Sequence, residues 1–147
     1  ALIIEALTDN KNRTASNIRT ILQKSGGRLG ETGSTAHYFF VCGVLHVSKN
    51  KISDEKILEL SINAGAKDCS SSSEYHEILT EREDFYKIKS EIEKNIDSFD
   101  YSGIEWKPQT YLDITKEESD NIIKMLETLE EDDDVQNTFV NCNIHIN

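Results

Sequence analysis

The period of the apolar positions changes several times along this chain, and each change marks an element. Ala1 to Leu7 is a short apolar run, the length of a buried strand. Thr8-Asp9-Asn10-Lys11-Asn12 has turn chemistry, and Asn12 is placed to cap a helix from about Arg13 to Ser25. Ala15, Ile18, Ile21 and Leu22 form its apolar face at helical spacing. Gly26-Gly27 ends it, because glycine accepts the left-handed conformation that helix C-termini favour. After a loop from Arg28 to Gly33, two strands are predicted, about Ser34 to Val41 and Val44 to Ser48, with Gly43 in the tight turn of a hairpin.

The second helix starts after Ser53, carries Ile57, Leu58 and Ile62, and stops at Gly65. Ala66 to Cys69 and Glu74 to Leu79 read as short strands about the turn Ser70 to Ser73. Thr80-Glu81-Arg82-Glu83 has the spacing of a capping box and predicts a helix with Phe85, Ile88, Ile92 and Ile96 on one face. Ser102 to Lys107 is a strand closed by Pro108. Thr115 to Glu118 is a second capping box, whose helix buries Ile122, Ile123, Leu126 and Leu129. Val135 to Ile144 is the final strand.

Grouped in order, these elements predict an α+β protein of two small α/β domains. Residues 1–48 with 110–147 give βαββαβ, the ferredoxin-like split βαβ pattern, as one discontinuous domain. Residues 49–109 form a second α/β domain inserted into it.

Charge adds an asymmetry. The formal net charge of −11 opposes simple coating of nucleic acid. Between Asn10 and Gly30, however, lie Lys11, Arg13, Arg19, Lys24 and Arg28 and no acid. Between Asp113 and Asp134 acids dominate, with only Lys116 and Lys124 among them. The basic segment is a candidate for docking phosphates, for which the arginine fork is well suited. In the blander alternative Arg13 pairs with Asp9 across the turn and the other cations are solvated.

Other chemistries find little support. Gly26 to Gly33 follows a helix, whereas nucleotide-binding loops precede one, and GxxxxGK[ST] is missing. Cys42, Cys69 and Cys142 form no CxxC pair and are expected as reduced thiols. His37, Cys42, His46, Cys142 and His145 match no zinc spacing, so no metal is expected, nor any other cofactor. Base stacking on the outer sheet is disfavoured, because its first strand lacks an aromatic residue. No run approaches the roughly 18 apolar residues of a membrane span. The chain opens on Ala1 rather than Met, so a longer natural protein is expected and no targeting signal is read.

The string from Leu7 to Gly43 resembles the signature of the YebC family. It contains Thr8-Asp9-Asn10, Asn12-Arg13-Thr14, Arg19, Lys24, Gly26-Gly27, Leu29-Gly30, Gly33-Ser34, Ala36, Phe39 and Gly43. The resemblance resumes at Ala64-Gly65-Ala66, at Met125-Leu126-Glu127, and at Asp133 to Asn137 with Asn141. It implies three domains in the full protein: a basic helical N-terminal domain, absent here, and two α/β domains, one inserted in the other. It also implies a non-enzymatic regulator of gene expression, with no catalytic residues to carry over.

The reading placed first is a translation factor contacting ribosome or RNA through Lys11, Arg13, Arg19, Lys24 and Arg28. A DNA-binding transcriptional regulator is the alternative, and a ligand-sensing or assembly module a further one. Asp9, Asn10, Asn12, Gly26, Gly27, Gly30 and Gly33 are expected to be structural. No membrane partner is expected, the oligomeric state is left open, and the compartment is cytoplasm, or mitochondrion for an organellar member. Two departures matter: the helical domain is missing, and Val41-Cys42 stands where relatives often bear lysine.

Overall fold

The computed structural model describes residues 1–144. In chain order the elements are β1 (Leu2–Ala6), α1 (Lys11–Lys24), β2 (Phe39–Ser48), α2 (Asp54–Ala64), β3 (Asp68–Ser71), β4 (Tyr75–Glu81), α3 (Phe85–Glu93), β5 (Tyr101–Pro108), β6 (Leu112–Asp113), α4 (Lys116–Glu130), β7 (Val135–Val140) and β8 (Cys142–Asn143). The chain is thus a mixed α+β protein with four helices among the described residues. It divides into two compact units, Ala1–Phe40 with Lys107–Asn147, and Val41–Trp106.

In the first unit β1 lies antiparallel to β7, with Ile3 opposite Phe139 and a bulge between Glu5 and Ala6. The pair β6 and β8 is parallel, Leu112 lying opposite Cys142. Ile18 and Leu22 of α1 pack with Leu129 of α4, and Leu2, Ile4, Ile21, Met125, Leu126 and Val135 surround them. This core joins the two ends of the sequence. α4 starts at the expected capping box: Thr115 Oγ1 accepts the Glu118 N–H at 3.1 Å, and the Glu118 carboxylate accepts the Thr115 N–H at 3.2 Å. The expected final strand is broken at buried Asn141, whose carbonyl accepts the Leu112 N–H at 2.8 Å and whose N–H turns to Ala1 at 3.2 Å.

The hairpin expected about Gly43 does not form. Phe39–Ser48 is one continuous strand, and residues 36–38 before it are a single 3-10 turn. Gly43 sits within β2 opposite Thr80. A Cβ there would collide with the Thr80 hydroxyl and the Phe85 ring. The glycine serves a close approach between elements, not a turn.

The predicted βαββαβ grouping of the outer segments therefore needs correction. That element order is carried by the second unit as β2-α2-β3-β4-α3-β5, and its sheet runs β3-β4-β2-β5, the arrangement of a split βαβ. Leu45, Val47 and Ile78 of its sheet pack with Ile57 of α2 and with Phe85, Ile88 and Ile92 of α3. Ser53 caps α2 by accepting the Lys56 N–H at 3.1 Å, and Gly65, at φ 88°, ends it as predicted. The capping box expected at Thr80 does not open a helix: Thr80 is buried in β4, its hydroxyl bonded to the Glu81 carbonyl at 2.8 Å, and a short 3-10 turn precedes α3.

Candidate nucleic-acid interface

The basic helix α1 starts at Lys11, two residues earlier than expected. Asn10 is the cap, its Oδ1 accepting the Arg13 N–H at 3.1 Å, while the Asn10 N–H donates to Thr8 Oγ1 at 3.0 Å. Asn12 lies exposed inside the first turn. The helix ends in a Schellman motif. Gly26 takes φ 83°, its N–H reaches the Gln23 carbonyl at 3.2 Å, and the Gly27 N–H reaches the Leu22 carbonyl at 2.8 Å.

Arg13 is held from both ends of the chain. Its Nη2 donates to Asp9 Oδ1 at 2.9 Å and to Asp134 Oδ2 at 3.3 Å. The Thr14 hydroxyl lies 2.7 Å from the same Asp134 oxygen and 2.7 Å from the Thr8 hydroxyl. The Leu7 N–H binds the Asp134 carbonyl at 2.8 Å. The Asp9 and Asp134 carboxylates raise the Arg13 guanidinium above its ordinary value, Asp9 contributing most. The Asp134 carboxyl is held below its ordinary value, first by the Thr14 hydroxyl and then, against some desolvation, by Arg13. Arg13 thus clamps two segments together while its side chain stays half exposed. Asp134, Thr14 and Thr8 complete this cluster; all three lie in the stretches of the resemblance, but nothing local in the sequence shows that they meet.

A consequence is testable by pH. A carboxyl with a depressed folded pKa contributes stability that is present above its unfolded value and lost as pH falls through its folded value. Asp134→Asn is expected to melt below the wild type at pH 7, and the gap is expected to close as the pH drops below about 4, the ordinary aspartate value. Thermal melts of both proteins check this; a gap that stays constant down to pH 2 would refute the ionic role of Asp134.

The remaining cations are differently placed. Lys11 opens α1, Arg19 lies in its middle, Lys24 closes it and Arg28 follows in the glycine-rich loop, all exposed. None of these four has an ion-pair partner among the described residues. At about 3.6 residues per turn, Lys24 shares the side of Arg13, and Arg19 falls on another. In the loop Gly33 takes φ 81°, and a Cβ on Gly30 would meet the Ser34 hydroxyl, so both glycines shape the backbone around Arg28. Such cations attract phosphate oxygens and fix position, but their spread over the helix offers no groove-reading constellation.

The other chemistry-bearing side chains are dispersed. Cys42 is buried in β2, His37 packs on Tyr38 with ring centres 4.0 Å apart, and His46 meets Glu77 at 2.9 Å. His145 lies outside the described residues. Among the described residues no cluster of His, Cys, Asp and Glu suited to a metal ion is found, and no helix is long and apolar enough to cross a membrane.

The clamp joins the two stretches that carry the resemblance, Thr8 to Thr14 and Asp133 to Asn137, and comparison with known proteins agrees. A family model described as the TACO1/YebC second and third domain matches residues 1–142. A probable transcriptional regulatory protein of Pelagibacter ubique is 48% identical over 147 residues, which is 100% of this chain and 61% of that protein. Another, from Zymomonas mobilis, is 40% identical over 144 residues, 98% of this chain and 58% of the relative. The crystal structure of a conserved hypothetical protein from Aquifex aeolicus superposes with a TM-score of 0.87 at 36% identity, covering 100% of this chain and 61% of that one. The chain thus spans about three-fifths of the length of these relatives. It belongs to the TACO1/YebC family, of which it carries the second and third domains.

Proposed function

We propose that this chain is the α/β part of a non-enzymatic regulator of gene expression that contacts nucleic acid through the surface of α1 and the loop after it. The observation that carries the reading is the acid-free segment from Asn10 to Gly30, all five of whose cations are exposed, Arg13 being held by Asp9 and Asp134 as well. The names of the relatives favour transcription over translation, so the DNA-binding reading moves ahead of the ribosome or RNA reading placed first from the resemblance. The acidic remainder of the chain limits indiscriminate binding. The accompanying domain reading is a discontinuous outer domain interrupted by an inserted one. A cytoplasmic location goes with it.

The test measures retention of duplex DNA, and pelleting with ribosomes, by the full-length protein and by this chain across a salt series. Arg19→Glu with Lys24→Glu is expected to weaken binding about tenfold or more and to make the slope of log affinity against log salt shallower by about 2. Unchanged affinity and slope would remove α1 from the interface. Pelleting with ribosomes without retention of DNA would return the function to translation.

A further inference from the structure

The second unit carries a surface that the nucleic-acid reading does not use. The register of its sheet places Cys69, Leu45, Val47, Ile78 and Phe85's neighbour Thr80 on the face covered by α2 and α3. The opposite face presents Tyr75 from β4, His46 from β2 and Tyr101 from β5. The His46 ring stacks on Tyr75 at 4.2 Å between centres and 26° between planes, and Tyr101 lies 5.3 Å from His46 on its other strand neighbour. Tyr75 and Tyr101 are 37% and 41% exposed. Three rings from three strands therefore form one row open to solvent.

Carboxylates accompany the rings. Glu77, directly opposite His46, meets its Nε2 at 2.9 Å. Glu105, four residues along β5 and so on the same face as Tyr101, accepts the phenol's hydrogen bond. Partial burial, with this bond, pushes the Tyr101 phenol up to about 12, so it remains a donor at neutral pH. Register puts Asp68 and Glu81 on the face as well. β5 also carries Lys107 at the same period as Glu105, and Lys67, just before β3, reaches Glu81 at 3.7 Å, so acids still outnumber bases on the face.

We propose that this row is a docking site for a basic protein segment that presents arginine. Aromatic faces attract a guanidinium laid over them, and the flanking carboxylates supply its charge-assisted hydrogen bonds. The same carboxylates repel a phosphate backbone, so a single-stranded nucleic acid, the usual occupant of aromatic rows on such sheets, is the poorer match. Lysine has the charge without the plane, and so gains less from the rings.

The experiment titrates the 147-residue chain with a short Arg-Gly peptide, a Lys-Gly peptide of equal charge, and single-stranded oligouridylate. It follows the side-chain NMR signals of Tyr75, His46 and Tyr101 and measures affinity by calorimetry. The arginine peptide is expected to shift all three rings and to bind more tightly than the lysine peptide. Tyr101→Leu is expected to weaken it about threefold to tenfold, whereas Tyr101→Phe, which keeps the ring, binds within about twofold of wild type. Glu77→Gln, with an unchanged melting temperature, is expected to weaken it as well. Equal binding of both peptides, unmoved rings, or shifts produced by oligouridylate alone would each overturn the proposal, the last in favour of a nucleic-acid face.

Discussion

Gly43→Ala is expected to destabilise the protein by about 1–3 kcal/mol, and Gly43→Val by more, enough to abolish a cooperative urea transition. The reason lies in β2. The strand runs unbroken through Gly43, whose Cα side faces Thr80 across the ladder and the Phe85 ring at the start of α3. Phe85 is 3% exposed and Thr80 fully buried, so neither can swing into solvent to admit a methyl group. Asparagine discriminates between the two roles a glycine can have. At Gly65, which has φ 88° and open space where a Cβ would point, asparagine tolerates the left-handed backbone and should cost little. At Gly43 it should be as damaging as valine. Denaturation of Gly43→Ala, Gly43→Asn and Gly65→Asn side by side measures this. If Gly43→Asn unfolds at wild-type urea concentrations, the close approach is not what demands glycine.

The same residue explains what could and could not be read from the sequence. Helix ends were legible where the determinants are local: Ser53 and Gly65 bracket α2, and the Thr115–Glu118 box opens α4. Gly43 looks identical to a turn glycine until Phe85, forty-odd residues on, is brought against it. Thr80 to Glu83 fits a capping pattern, but its threonine is claimed by the ladder to β2. With the hairpin gone, the βαββαβ order moves to the middle of the chain, which is why Tyr75 and Tyr101 do not stand out beside His46 when only the outer strands are read for aromatics. At the candidate interface, the pairing of Arg13 with Asp9 follows from i,i+4 spacing, whereas Asp134 reaches Arg13 and Thr14 only through the fold. All five expected contact residues are exposed, and Arg13 differs from the other four only in being paired with Asp9 and Asp134.

Leu129→Ala is expected to cost about 2–5 kcal/mol, the range for truncating a fully buried leucine. Leu129 lies near the end of α4, yet its partners Ile18 and Leu22 are on α1, so the cavity opens between segments more than a hundred residues apart in sequence. Holding those segments together is what offsets the entropy of closing the long loop between them. The consequence is regional. Amides of α1, β1 and β7 should lose hydrogen-exchange protection, while those of β2 and β4, supported by the separate cluster about Leu45 and Ile57, should keep most of theirs. Parallel loss of protection in both clusters would mean that they unfold as one cooperative unit. If α1 contacts nucleic acid as proposed, the variant should bind it more weakly although it alters no charge, because Lys11, Arg19 and Lys24 sit on that helix. That weakening should appear as lower affinity with an unchanged salt slope, since the number of phosphate contacts in the folded molecules stays the same. Loss of slope is the signature of a removed cation, and loss of affinity alone is the signature of a loosened scaffold.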